Sequence, residues 1–251
     1  MKFTIITLFP EAISCFTDFS ILKKAKDRGI LNIDTINPRD FAIDTHKTVD
    51  DKPYGGGEGM IIRVDVVYKA LQRARCRQRC REKTILLSPA GRRFSQDAAQ
   101  SLAENEHIIL ISGNYEGIDA RIEKFVDFKI SIGDFVLSNG ELAAGVVVDS
   151  VSRFVPGVLG NQASLQEESF SEYFVDDLIE LLGEEDFLVD LKKKGVKKIK
   201  LLEYPQFTRP ETFLDYKVPK VLLSGDHQKI KRWRLKRALE LTIRYRPDLL
   251  Q

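Results

Sequence analysis

Three short stretches combine glycine, serine and proline with aromatic or acidic side chains directly after apolar runs. The first is LLSPAGRRF (86–94), which carries Ser88, Pro89 and Gly91. The second, ISGNYEGIDAR (111–121), sets Tyr115 and Glu116 between Gly113 and Gly117. The third, KISIGDFVLSNGELAAGVVV (129–148), reads as an alternating strand crossing Gly133, then a Ser138-Asn139-Gly140 turn and a helix that opens on small residues. Glycine and small residues at such positions let a ligand or a second backbone come close. If the three runs are parallel strands, their loaded ends share one crevice at the carboxyl edge of the sheet, where open α/β folds bind ligands.

The elements that must position these ends follow from periodicity. KFTIITLF is an apolar first strand, Pro10 to Asp27 reads as a helix closed near Gly29, and LNIDTIN is a second strand. Arg39 to Gly59 reads as a long loop ending in Tyr54, three glycines, Glu58 and Gly59. Asp65 is placed to cap a helix running to about Cys80, and a further helix spans Ser95 to Glu104 between the strands starting at Thr84 and His107. The helix after Gly140 runs toward Arg153 and stops by Pro156. Thr208 to Pro210 reads as a cap ahead of a helix, and the last helix starts near Asp226 with Leu235, Leu239 and Ile243 on one face.

Several function classes lose support. The turn after the first strand holds Pro10 and Glu11 rather than a glycine-rich phosphate loop, and no GxxxxGK[ST] occurs, so dinucleotide and P-loop readings fall away. No apolar run approaches the ~18 residues of a membrane span, and MKFTIITLFPE is interrupted too early for a signal peptide. The expectation is a cytoplasmic protein with no membrane association. Cys15, Cys76 and Cys80 are then free thiols, since no histidine or further cysteine near them in sequence completes a zinc site. Residues 201–251 hold 11 Lys or Arg against 6 Asp or Glu, while the preceding 200 hold 28 against 31. A basic appendage of this kind suits a polyanion.

Eight blocks in order carry a resemblance: LFPE (8–11), DKPYGGGEGM (51–60), LLSPAGRRF (86–94), GNYEGIDAR (113–121), SIGDFVLSNGELAAG (131–145), RFVPGVLG (153–160), LLEYPQFTRPE (201–211) and VPKVLLSGDHQKIKRWR (218–234). Together they resemble the bacterial tRNA (guanine-N1)-methyltransferases of the SPOUT superfamily. The resemblance implies an α/β fold, with a mostly parallel sheet, helices on both faces, a deep C-terminal trefoil knot and a small, mainly helical C-terminal domain. The domains expected are 1–160 (knotted, binding S-adenosylmethionine), 161–200 (an interdomain linker) and 201–251 (basic, tRNA-binding). Against the family pattern, residues 171 to 200 read as an insertion of roughly thirty residues, at least partly mobile on the surface.

The implied reaction moves a methyl group from S-adenosylmethionine to N1 of guanosine at tRNA position 37. Glu168 matches the family's aspartate base, with Glu167 as its competitor, and Arg153 matches the active-site arginine. Carried over as cofactor-binding are Leu87, Ser88, Pro89, Gly113, Tyr115, Glu116, Gly117, Ile132, Gly133, Asp134, Phe135, Val136, Leu137, Gly140 and Ala144. Asn139 stands where the family usually has glycine. His46, Asp50, Lys231, Arg234 and Lys236 form the expected RNA-contact set; between Lys229 and Arg246, eight basic residues face only Glu240 along the chain. The family works as a homodimer, with Glu168 and Arg153 of one subunit serving the cofactor of the other. Family enzymes also respond to Mg²⁺, although no ligand cluster in the sequence marks a metal site. Two other readings stand beside this one: a noncatalytic RNA-binding relative, and a knotted methyltransferase acting on another RNA position. A methyl-transfer assay separates the first, and mapping of the methylated nucleoside the second.

Overall fold

The computed structural model describes residues 1–161 and 167–251, which form two compact units, 1–160 and 161–251. In the first unit, β1 (Lys2–Ile6) is followed by α1 (Pro10–Thr17), α2 (Ser20–Asp27) and β2 (Asn32–Ile36). A short antiparallel pair, β3 (Asp50–Asp51) and β4 (Ile61–Ile62), leads into α3 (Val64–Ala74). Then come β5 (Glu82–Arg93), α4 (Gln96–Leu102), β6 (His107–Ile111), β7 (Phe128–Ser131) and α5 (Glu141–Ser152). The main sheet has the order β2-β1-β6-β5-β7, and every pair in it is parallel.

Strand alternation builds the core on both faces. Phe3, Ile5, Ile85, Leu87, Ile108 and Leu110 pack with Ile13 of α1, Ala99 of α4 and Ala144, Val147 and Val151 of α5. Ile6, Leu86, Ile109 and Ile111 point the other way, onto Val66, Val67, Ala70 and Leu71 of α3. Period-two side chains on buried parallel strands require apolar residues on both faces, which is why these strands read as continuous runs.

The expected first helix is two helices, because Ser20 takes a positive φ of 53° that breaks the ladder between them. Asp65 does not cap α3: Arg63 is the N-cap residue, and its guanidinium instead holds the Asp65 carboxylate at 2.8 Å. The helix also stops at Ala74, so 75–80 is irregular, and Cys76 and Cys80 are joined in a disulfide rather than free. Cys15 is an exposed thiol. The 39–59 stretch is not wholly loop; β3 and β4 pin its far end, with Val49 fully buried. β7 ends at Ser131, so Gly133 lies beyond the strand rather than within it.

In the second unit, β8 (Ser171–Phe174) pairs antiparallel with β9 (Lys198–Leu201), and α6 (Val175–Leu182) and α7 (Asp186–Lys193) lie between them in sequence. A two-stranded pair, β10 (Thr212–Phe213) and β11 (Tyr216–Lys217), precedes α8 (His227–Tyr245). The segment expected as a partly mobile insertion is half of this unit's core. Val175, Leu178, Leu182, Leu188, Leu191, Ile199 and Leu201 are buried in one cluster with Leu235, Ala238, Leu239 and Leu250. Apolar residues at helical spacing on α6 and α7 supply the burial that holds α8. The start of the expected linker, 162–166, lies outside the described residues. The helix expected after Thr208 is absent; that stretch leads into the β10–β11 pair.

Candidate active site

The sheet order puts the carboxyl ends of β6, β5 and β7 side by side, and the three glycine-bearing stretches meet there. They enclose a pocket of about 400 Å³, within the range of small-molecule sites. β5 pairs with β7 on both sides of an outward excursion: Leu87 and Arg92 both register with Ile130. Gly91 is required in that excursion, because a Cβ there would collide with the backbone nitrogen, Cα and carbonyl carbon of Ile130. From β7 the chain passes back beyond β5 to the end of β6, where Asn139 bridges to Asn114 and the Gly140 N–H donates to the Gly113 carbonyl at 2.8 Å. A Cβ on Gly140 would lie 2.9 Å from the Gly113 nitrogen, so only glycine fits. Tyr115 holds a positive φ of 58° in the middle loop. Such strain in a non-glycine residue persists only where surrounding structure enforces it.

Of the residues expected to bind cofactor, Leu87, Ser88, Pro89, Gly113, Tyr115, Glu116, Gly117, Ile132, Gly133, Phe135, Val136, Leu137 and Gly140 line this pocket. Asp134 does not; it is exposed. Ala144 is fully buried in the core and Ala143 takes the wall position. Neighbours on a helix point about 100° apart, so only one can face the pocket. Asn139, singled out in the sequence for standing in place of a glycine, lines the pocket too, while Asn114, Glu123 and Ser131 are lining residues that sequence reading missed.

It also missed what anchors them. Glu141, the first residue of α5, is buried, and its Oε1 accepts from the Thr7 hydroxyl at 2.5 Å and the Asn114 amide at 3.1 Å. One carboxylate therefore ties the end of β1, the loop after β6 and the start of α5. The signal available was an acidic residue at a helix start, where negative charge is favoured. The glycine stretch 55–59 joins the same region, since Glu116 N–H donates to the Met60 carbonyl at 3.1 Å and Ile62 N–H to that of Gly117 at 3.0 Å. Farther along, Arg121 holds the Asp119 carboxyl below the usual range through a side-chain hydrogen bond at 2.6 Å.

The remaining expected residues are dispersed. His46 is exposed in a turn, and Asp50 is half-buried in β3. Arg153 is the C-cap of α5, half-buried, at the opposite end of the helix from Gly140. In the second unit, Glu168 is half-buried, and its carbonyl accepts from Ser171 N–H at 3.1 Å. Glu167 is engaged: its carboxylate accepts from the Tyr204 hydroxyl at 3.4 Å and faces Arg234 at 3.7 Å. Arg234 also lies over the Tyr204 ring, 4.7 Å from its centroid.

The basic run on α8 is opposed by more than Glu240. Lys229 pairs with Asp226 at 3.0 Å, Lys236 with Glu185 at 2.9 Å and Arg246 with Asp248 at 2.7 Å. Lys231 is exposed. No helix among the described residues is long and apolar enough to cross a membrane. One group of three or more metal-ligating side chains comes together among the described residues: Cys76, Cys80, Glu82 and His107. It lies at the amino ends of β5 and β6, across the sheet from the pocket.

A parallel α/β sheet with a glycine-walled pocket at its carboxyl edge is the architecture of an enzyme that takes a small organic cofactor or substrate. The family model described as tRNA (Guanine-1)-methyltransferase TrmD matches residues 1–179 and 182–251. Proteins named tRNA (guanine-N(1)-)-methyltransferase are similar over nearly the whole chain. The one from Alcanivorax borkumensis is 46% identical over 249 residues, covering 99% of this chain and 84% of that protein. Those from Thermus thermophilus and Geobacter sulfurreducens are 44% and 45% identical, covering 100% of this chain and 92% and 91% of theirs. The chain belongs to the tRNA (guanine-1)-methyltransferase family, a family of methyltransferase enzymes. The match runs through 171–179 and 182–200, so that segment is part of the family pattern and not an insertion.

Proposed function

We propose that this chain transfers a methyl group from S-adenosylmethionine to N1 of guanosine at position 37 of tRNA. The observation that carries the reading is the pocket itself, built from three stretches that also carry the family match. Its volume and mixed apolar and acidic walls fit a nucleoside carrying a charged sulfonium. When bound, that cofactor supplies an electrophilic methyl group.

The chain's own residues handle the proton and the charge. N1 of guanine is protonated at neutral pH, so a base must take that proton, and charge developing toward O6 needs a cation. Glu168 is assigned as the base. The match to the family's aspartate supports this choice over Glu167, whose carboxylate meets Tyr204 and Arg234. Arg153 is assigned to the charge at O6.

Arg153 and Gly140 sit at opposite ends of α5, a helix of 12 residues, roughly 18 Å long. That separation from its own pocket supports a homodimer in which Arg153 and Glu168 serve the partner's pocket. Phe135 and Val136 at the pocket rim, and Leu142 and Val146 one turn apart on α5, are exposed apolar side chains that a second copy would cover. The return of the chain from β7 past β5 to β6 supports the trefoil knot of the SPOUT fold. We assign His46, Asp50, Lys231, Arg234 and Lys236 to tRNA, with 161–251 as the tRNA-binding part, and the cytoplasm as the place of action. Mg²⁺ prefers carboxylate and water oxygens, so the Cys76, Cys80, Glu82 and His107 group does not suit it.

The test is a labelled-methyl assay on tRNA transcripts with guanosine or adenosine at position 37. Incorporation into the guanosine transcript alone, recovered as 1-methylguanosine, is the expected result. Equal incorporation into both transcripts, or none into either by a protein that binds S-adenosylmethionine, overturns the reading.

A further inference from the structure

Cys76, Cys80, Glu82 and His107 have no part in the reaction above, yet the 75–80 stretch, β5 and β6 bring them together. Their ligand atoms all lie within 4.8 Å of one another. We propose that in its reduced form the chain binds one Zn²⁺ ion through Cys76 Sγ, Cys80 Sγ, His107 Nδ1 and a Glu82 carboxylate oxygen.

The spacing of the first cysteine and the histidine already matches a tetrahedral site, and reduction frees the two bonded sulfurs to part. Zinc–sulfur and zinc–nitrogen bonds of ~2.3 and ~2.05 Å put two ligand atoms of one ion about 3.5 Å apart. Cys76 Sγ and His107 Nδ1 are 3.5 Å apart. His107 Nδ1 is 2.9 Å from Glu82 Oε2, and the same carboxylate accepts the Cys76 N–H at 2.8 Å, which holds the acid and the first cysteine together.

The imidazole is oriented from behind. His107 is buried, and its Nε2 lies 2.8 Å from the Thr4 hydroxyl, leaving Nδ1 for the cluster. Metal-binding histidines characteristically use their second nitrogen in this way. Two thiolates, an imidazole and a carboxylate suit zinc by softness. Four protein ligands leave no open position, so the ion would be structural. It would clamp the irregular 75–80 stretch to the amino ends of β5 and β6.

The disulfide and the metal site are alternative states of one thiol pair. A small dithiol reduces the Cys76–Cys80 bond by two electrons and two protons and leaves as its own disulfide. Zn²⁺ then displaces the two thiol protons as it binds.

The full chain is reduced with a small dithiol, freed of metal and reductant without oxygen, and titrated with Zn²⁺ alone against a competing chelator. Co²⁺ is added in parallel for its thiolate charge-transfer bands. One equivalent per chain is expected, with bands that disappear in Cys80→Ser. Glu82→Gln and His107→Gln should each weaken binding at least tenfold, and Thr4→Val by roughly tenfold through the lost imidazole support. Less than half an equivalent bound by the reduced chain overturns the proposal. So does unchanged affinity in Glu82→Gln and Thr4→Val, which would mean that neither the carboxylate nor the Thr4-supported imidazole holds the ion. Those two variants decide the matter even if His107→Gln fails to fold.

Discussion

The Gly140 N–H donates to the Gly113 carbonyl at 2.8 Å, locking the loop after β7 to the loop after β6 at the pocket. Gly140→Ala places a methyl group 2.9 Å from the Gly113 nitrogen. We expect a loss of about 1–3 kcal/mol in stability from the forced backbone shift. S-adenosylmethionine should also bind at least tenfold more weakly by calorimetry. A variant with unaltered cofactor affinity would mean that this contact does not shape the pocket.

Glu168 is assigned as the base, and its neighbour Glu167 meets Tyr204 and Arg234. Removing a general base costs roughly 10²–10⁴ in rate. Single-turnover methyl transfer should fall by that order in Glu168→Ala and change little in Glu167→Ala. The reverse pattern would exchange their roles.

Leu188 is fully buried in the second unit's core. Leu188→Ala should destabilise by about 2–5 kcal/mol in chemical denaturation. A change within ~0.5 kcal/mol, typical of surface positions, would mean that 171–200 is an appendage after all.

Asp119 is held below the usual carboxylate range by Arg121, so its contribution is present above the unfolded value of about 3.9 and is lost as pH falls through the lowered one. The pair is partly exposed, with side chains at 64% and 23%, so screening limits the effect to roughly 1 kcal/mol or less. Asp119→Asn keeps the capping oxygen. Its urea midpoint should therefore fall slightly below wild type at pH 7, and the gap should close in strong acid. A gap that persists there would assign the difference to something other than charge.

Lys231 is exposed, whereas Lys236 and Arg234 already face Glu185 and Glu167. Lys231→Ala should weaken tRNA binding and lower the salt slope by roughly 1, with stability unaltered. Lys236→Ala and Arg234→Ala should also cost stability. If all three left affinity and salt slope intact, α8 would not be the RNA-contacting surface.

What was legible in the sequence was what a short window encodes. Apolar runs at β1, β5, β6 and β7, glycine-bearing strand ends and the spacing of α5 all depend on residues close in the chain. The strands came out parallel and the loaded ends met, because buried strands with apolar residues on both faces have few other arrangements. The blocks that carry the resemblance lie largely in the same stretches.

The tertiary structure decided what depends on contacts between distant residues. His107 reaches Cys76 across 31 positions, Thr7 reaches Glu141 across 134, and Lys236 meets Glu185 across 51. No linear spacing marks such pairs. A cysteine pair that looked isolated thus gained a histidine and a carboxylate, and a basic helix gained opposing acids. A segment that read as loose surface became core. By itself the sequence determined which stretches are strands, helices and binding loops, through local backbone and side-chain preference. Only packing, where buried apolar area and hydrogen-bond partners are settled together, determined which of their polar groups face one another.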